Sequence, residues 1–444
     1  MVLAAGNLRA QEAYTVLKLS EYDTPDLRDE YTLTYYFDNN KASWEGRREH
    51  SIYVFPLSTS TNFVELLHPW YLDHIVTVTF DDSFANYREL IFFNGMFANY
   101  TELKEIKGIQ NLNTSHATTM RGMFYKCWNL TELDVSHFDT KNVTDMGSMF
   151  METYGLRALD LKNFDTKNVV NMSSMFQGCG ARDLDVSNFD TRNVTDMQYM
   201  FSYCRANILD VSNFNTQNVT QMSGMFEGVD SVVGLKALDT SNVIGMVQMF
   251  RYYRGKNLDL SSFDTSNVQY MYDMFAGFKG ESIDLSSFDT SKVNSMCGMF
   301  CMATNLRSLD LSSFDTSNVE CMSRMFYGAN YLEKIYVSDG WNMECTLKSR
   351  LHQTMFGHCS SLTGGLGTKY DEKHINGLYA RIDGGESSPG YFTKKLPASI
   401  NNSIVQEGAI DKYYKLDGVS DRRPAKGLNI LRMSDGRVKK VLVK

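Results

Sequence analysis

The chain has 444 residues, and its 44 Lys and Arg against 52 Asp and Glu give a formal net charge of −8. A nucleic-acid backbone, which is held by clustered cations, is therefore disfavoured as a partner. A content of 43% hydrophobic and 22% charged residues with only 6 Pro excludes a collagen-like or Pro-rich low-complexity chain. The longest apolar runs, such as Ile75 to Phe80, fall far short of the ~20 residues a membrane helix needs.

Residues 1–11 lack a basic start and a full apolar core but read like the last third of a secretory signal, with cleavage near Ala10 and a true start upstream. An ordinary frayed terminus is the other reading. Residues 12–83 carry alternating apolar runs at Tyr31 to Phe37 and Ile75 to Phe80, broken at Asp38 and by Pro56 and Pro69, and so predict a small N-terminal β cap.

From there the dipeptide Met-Phe recurs eleven times, its Met at positions 96, 123, 149, 175, 200, 225, 249, 274, 299, 325 and 355. So steady a period marks units that cannot close a core alone and must stack on their neighbours. Residues 84–365 are therefore predicted to form an α/β solenoid. In the clearest unit, Leu133 and Val135 flank Asp134 with the period of a half-buried strand. Val143, Met146, Met149 and Phe150 then follow at helical spacing, which predicts a short helix with its apolar face turned inward. Between the halves, Phe138-Asp-Thr140-Lys-Asn142 is turn-forming and capping chemistry, and Thr140 recurs in eight other units. A residue repeated nine times is read as structural, not catalytic.

Cys127, Cys179, Cys204 and Cys359 share one repeat slot with Thr153, Val229, Tyr253, Phe278, Ala303 and Ala329. That is a packing slot, so buried thiols are expected in preference to disulfides. Cys297 with Cys301 lacks a second ligand pair at zinc spacing, and no metal or cofactor is expected.

The pattern Leu-x-x-Leu-Asp-Leu-Ser-x-Phe-Asp-Thr-x-Asn-Val-x-x-Met-x-x-Met-Phe over residues 84–392 resembles the BspA-like leucine-rich-repeat surface proteins of bacteria, in the class with repeats of about 26 residues. The flanks share the resemblance: Leu33 to Lys41 and Val78 to Phe84 look like that family's N-terminal β segment, and Leu378 to Gly385 with Pro389 to Phe392 like its C-terminal cap, here 366–397. It implies a leucine-rich-repeat-like right-handed coil of about eleven strand-plus-helix repeats capped at both ends. It also implies an exported adhesin-like or ligand-binding protein without enzyme activity.

Residues 398–444 read as a linker and a β tail, with strand candidates at Tyr413 to Leu416, Leu428 to Arg432 and Val438 to Val443 and a turn at Ser434-Asp435-Gly436. Lys415-Leu-Asp-Gly-Val, Pro424-Ala-Lys-Gly-Leu428 and the terminal Lys440-Val-Leu-Val-Lys444 resemble the C-terminal sorting signals of Bacteroidetes type IX secretion. A plain β appendage is the alternative.

Two groups of residues outside the core pattern are candidates for binding. Asp134, Asp160, Asp185, Asp210, Asp259, Asp284 and Asp310 form a row on the exposed strand face, where like charges ~4.8 Å apart repel unless something offsets them. Ser136 and its equivalents could donate to the carboxylates, and a calcium-bridged or cation-binding surface is the sharper reading. Near the break in this row at Val233-Gly234-Leu235, Tyr199, Tyr203, Tyr252, Tyr253, Tyr270 and Tyr272 form an aromatic cluster that can serve as a ligand patch or pack between coils. The expected function is adhesion or binding of an extracellular protein or glycan at the cell surface or after secretion. A structural role in a bacterial surface or matrix is the runner-up. No phosphate loop, metal cluster or His-anchored triad points to an enzyme.

Overall fold

The structure, a computed structural model, describes residues 11–19, 30–45, 47, 52–58, 61–256 and 258–395, together with the strand backbone at 410–414, 420–421, 427–433 and 438–443. Two compact units are present, Met1–Thr393 and Lys394–Lys444. The expected leader remnant at 1–11 except for its last residue, the linker at 398–408, the Ser434-Asp435-Gly436 turn and most of the segments resembling a sorting signal lie outside the described residues.

The first unit opens with strands β1 (Glu12–Leu19), β2 (Tyr31–Asp38), β3 (Ile52–Pro56) and β4 (Ile75–Phe80). Tyr31, Leu33 and Tyr35 are buried at alternate positions of β2, as a one-sided strand requires. The sheet runs in the order β3-β1-β2-β4-β5, and its last strand, β5 (Glu105–Lys107), comes from the repeat region. Thr77 to Thr79 pair in parallel with Glu105 to Lys107. The sheet therefore continues past residue 83 into the first repeat, and β4 has no free edge for a second chain to extend.

The repeats stack in parallel. One ladder of single bridges runs from Phe92 to Thr119, Asp145, Asn171, Asp196, Gln221, Gly245, Tyr270, Ser295, Cys321 and Leu351. Inside it, Val143, Met146, Met149, Phe150 and their counterparts are buried. The Phe rings form a continuous stack; Phe124 to Phe150 and Phe150 to Phe176 are each 5.7 Å between centroids and nearly parallel.

The segment expected to be a short helix is a pair of tight turns. Met149 N–H donates to Met146 O at 3.2 Å across Ser148, whose φ is +57°, and Glu152 repeats the left-handed conformation four residues on. A left-handed third residue is the signature of a type II turn. The N–H groups of Met146, Ser148, Phe150 and Glu152 instead donate to Asn171, Ser173, Met175 and Gln177 of the next coil. Half the donors thus close turns and half join coils, an accounting a helix could not satisfy. The spacing of Val143, Met146, Met149 and Phe150 suits both conformations, because it fixes only which side chains face inward.

The strand half is reduced as well. Among the described residues, besides β5, only β6 (Ala158–Leu159), β7 (Asp183–Leu184), β8 (Leu209–Asp210), β9 (Val232–Val233), β10 (Ser308–Leu311) and β11 (Lys334–Val337) appear, paired in parallel as β6 with β7, β8 with β9 and β10 with β11. Side-chain ladders supply the missing cohesion. Thr191 Oγ1 donates to Asn215 O at 2.9 Å and accepts Asn215 N–H at 2.8 Å. Thr140, Thr166, Thr240 and Thr290 make the same two-way clasp to the following coil. Asn168, Asn193, Asn218 and Asn242 reach back to carbonyls of the preceding coil. The Thr opens a turn, as read from sequence, with Val143 N–H donating to Thr140 O at 2.9 Å, and is in addition a bolt between coils.

The long step before Met355 holds a helix at Glu344–Ser349. Strand β12 (Phe392–Lys394) then joins β10 and β11 in a three-stranded sheet. In the second unit β13 (Ile410–Tyr414), β14 (Ser420–Asp421), β15 (Gly427–Met433) and β16 (Val438–Val443) form an antiparallel sheet in the order β14-β13-β15-β16. Among the described residues no helix is long and apolar enough to cross a membrane.

Candidate functional site

The paired turns give each coil two left-handed residues. The second of them follows Met-Phe by two positions and reads, coil by coil from Glu152, Glu, Gly178, Tyr203, Gly228, Tyr252, Gly277, Met302, Gly328 and His358. Bulk and glycine alternate. A Cβ added at Gly228 would come within 2.5 Å of Tyr203 Cδ1, and one at Gly277 within 2.3 Å of Tyr252 Cδ1. Met302 covers Gly328 in the same way, and Tyr154 covers Gly178 from two residues further along its coil. Each large side chain leans over the glycine of the next coil. The result is a row of exposed rungs, one for every two coils: Tyr154 (43% exposed), Tyr203 (44%), Tyr252 (40%) and Met302 (49%).

Between Tyr203 and Tyr252 sits a buried acid. Glu227 is 6% exposed and accepts hydrogen bonds from Ser202 Oγ at 3.1 Å and Tyr203 Oη at 3.2 Å, with Arg251 Nη1 3.6 Å away. Burial pushes the Glu227 carboxyl up, opposed by these partners. The Tyr203 phenol is pushed up to about 12 by burial and by the neighbouring Glu227. The Arg251 guanidinium lies over the Tyr252 ring, 4.8 Å from its centroid. Glu227 and Arg251 thus tie two rungs together from beneath.

Of the six tyrosines expected in the patch, Tyr203, Tyr252, Tyr270 and Tyr272 are exposed, and Tyr199 is half-buried over Gly224 with its hydroxyl 3.4 Å from Gln248 Oε1. Tyr252 and Tyr272 line one recess of about 420 Å3 with Arg251, Asp273, Met302 and Arg324. Tyr253 does not belong to the patch. It is buried, stacks on Phe278 at 6.2 Å and meets Phe250 edge-on, because it fills the packing slot shared with Cys and Val.

The aspartate row carries the expected donors: Ser261 Oγ donates to Asp259 at 2.7 Å. The carboxylates of Asp134, Asp160, Asp185, Asp210, Asp259, Asp284 and Asp310 each accept the backbone N–H two residues on, at 2.9–3.1 Å. These are Asx turns. The Ser136, Ser187 and Ser212 hydroxyls and N–H groups hold Asp134, Asp185 and Asp210 below the usual carboxylate range. Ser261 and Lys236, 2.9 Å away, bring Asp259 down to about 2. Asp160, Asp185 and Asp210 share a shallow groove of about 560 Å3 with Lys162, Arg182 and Ile208. Among the described residues no three His, Cys, Asp or Glu side chains are placed to hold a metal ion.

Sequence reasoning missed Tyr154, Met302, Glu227 and Arg251. The signal was available in the alternation of Met-Phe-x-Gly with Met-Phe-x-bulky, a period of two repeats inside the period of one. A disulfide between Cys297 and Cys321 was also missed, whereas Cys127, Cys179, Cys204 and Cys359 are buried free thiols in their packing slot.

Parallel stacking, an unbroken core and a patterned turn face define a repeat protein built mostly of β structure and turns. Three stretches, 91–210, 204–282 and 281–370, match the family model described as Mycoplasma protein of unknown function, DUF285. The chain belongs to that family. Comparison with curated proteins finds no match.

Proposed function

We propose that the protein is a noncatalytic, secreted or cell-surface leucine-rich-repeat-like solenoid of the BspA-like type, and that it binds an extracellular ligand through its turn face. The observation that carries this reading is the backbone beneath the aromatic rungs. Tyr203 and Tyr252 hold φ of +52° and +54°, a conformation that costs a non-glycine residue roughly 1–2 kcal/mol. Equivalent coils use Gly at the same positions without loss of the fold. The same strain is kept at Ser148, Ser174 and Gln248, so what supports contact is the exposure of the Tyr203 and Tyr252 rings at positions glycine could fill.

The resemblance to BspA-like surface proteins favours the same function. A structural matrix component is the alternative, and the two differ in solution. Sedimentation of the purified chain across a range of concentrations tests them: a monomer that binds an extracellular-matrix extract saturably supports the ligand-binding reading. Concentration-dependent assembly without such binding supports the structural one.

A further inference from the structure

Arginine gathers at one place in a chain of net charge −8. Arg157, Arg182 and Arg205 are exposed on successive coils, and the backbone holds them in step: Arg182 N–H donates to Arg157 O at 3.2 Å, and Arg205 N–H donates to Cys179 O at 2.9 Å, three residues before Arg182. Among the described residues none of the three has an ion-pair partner, whereas nearby Arg254 pairs with Asp230 at 2.9 Å. Arg182, Arg205 and Arg254 stand in the wall of a recess of about 630 Å3 between Tyr154 and Tyr203, together with the acids Glu152 and Asp230. That volume falls within the ~300–1,000 Å3 of small-ligand sites. Asp230 is taken up by Arg254, and Glu152 lies within electrostatic reach of Lys126 and the Tyr154 hydroxyl. Arg182 and Arg205 are left as the uncompensated charges of the recess, and an anion between them removes their mutual repulsion.

We propose that this recess binds an acidic sugar unit of a glycan, its carboxylate or sulfate held by Arg182 and Arg205 and its ring against Tyr154 or Tyr203. The inference rests on the reading above that the turn face is the ligand-binding surface. A guanidinium is a planar fork of donors that meets an oxyanion with two parallel hydrogen bonds. The rest of the wall decides between a sugar and an acidic peptide. The amides of Gln177 and Asn207 both donate and accept, and the carboxylates of Glu152 and Asp230 only accept. Such acceptors suit hydroxyl groups, which donate, and repel the further carboxylates that an acidic peptide brings. Tyr154 and Tyr203, 43% and 44% exposed, add flat apolar faces with a polar tip, which match the C–H face and hydroxyl rim of a pyranose.

The test uses the full chain and two fluorescent acidic oligosaccharides, an oligogalacturonate and a sulfated maltooligosaccharide, each beside its neutral counterpart, the methyl ester and the unsulfated sugar. An oligoglutamate of equal charge is the peptide control. Arg182→Gln with Arg205→Gln removes both cations; the next coil carries Asn207 and Asp230 at the same positions, so polar side chains without positive charge fit there. Saturable binding of an acidic sugar is expected, weakened about tenfold or more by the double substitution and about tenfold or more weaker for the neutral counterpart. Which of the two binds tells carboxylate from sulfate. Tyr203→Gly, at a left-handed position that glycine favours, should weaken the same binding. Four results would overturn the inference: no binding of either acidic sugar, equal binding of the neutral counterpart, indifference to the double substitution, or oligoglutamate bound as tightly as the sugars. If the acidic sugars fail while a matrix extract still binds in a Tyr203-dependent way, the acidic-sugar inference falls and the ligand-binding reading stands.

Discussion

The ring of Tyr203 occupies the space that a side chain at Gly228 would need, and both residues hold positive φ. This pairing, repeated at Tyr252 with Gly277, sets the character of the turn face: each exposed ring exists because the next coil has none. Gly228→Ala is expected to destabilise the protein by about 2–5 kcal/mol, from left-handed strain plus overpacking. In a Tyr203→Gly background the cost should fall to about 1–2 kcal/mol, because only the strain remains. A double-mutant cycle by urea unfolding measures the difference as a coupling energy. Additive effects would show that the ring does not rest on the glycine.

The threonine ladder makes a second prediction. Thr191→Val keeps the shape of a buried side chain but orphans both Asn215 N–H and Asn215 O. A loss of about 1–3 kcal/mol in urea unfolding is expected, with the same size of loss for Thr240→Val. A turn or cap role alone would leave the N–H exchange rate at Asn215 unchanged, whereas the clasp predicts that it rises.

Asp383 ties down the end of the first unit. It is 4% exposed, and although burial raises its pKa, the Thr368 hydroxyl and the N–H groups of Thr368, Gly385 and Leu366 outweigh that and bring the carboxyl down to about 2. Because the folded value is depressed, the stabilisation is complete above the unfolded pKa of 3.8 and is lost as pH falls toward 2. It amounts to about 2.5 kcal/mol. Asp383→Asn should lose this increment at pH 7 and show a shallower decline of stability between pH 4 and pH 2, as followed by thermal melts.

Cysteine chemistry divides by slot. Under nonreducing digestion, mass spectrometry should find Cys297 linked to Cys321, while Cys127, Cys179, Cys204 and Cys359 alkylate only after unfolding. Rapid alkylation of Cys204 in the native protein would contradict its place in the core.

The repeat, its inward-facing residues and the β character of both flanks were legible in the sequence, because each is a matter of which side chains recur and face inward. Backbone conformation was not. Ser148 and Glu152 do not advertise positive φ by themselves; only alignment with Gly224 and Gly178 in sister coils reveals that these positions are left-handed. The same blindness hid the Tyr203 and Gly228 pairing, since it joins different coils. It also hid the Cys297–Cys321 link, whose partners stand at different positions of their repeats. The Asp row was legible as a row with Ser donors two residues on; that one oxygen of each carboxylate also accepts the backbone N–H of its own turn was not. Millimolar calcium is accordingly expected to leave the melting temperature unchanged.

The central claim is that the exposed rungs are a binding surface, and their removal from the intact chain tests it most directly. Binding of the purified protein to an immobilised extracellular-matrix extract should be saturable, and Tyr203→Gly with Tyr252→Gly should weaken it about a hundredfold while circular dichroism shows the coils still folded. Undiminished binding by the doubly substituted protein would contradict the account.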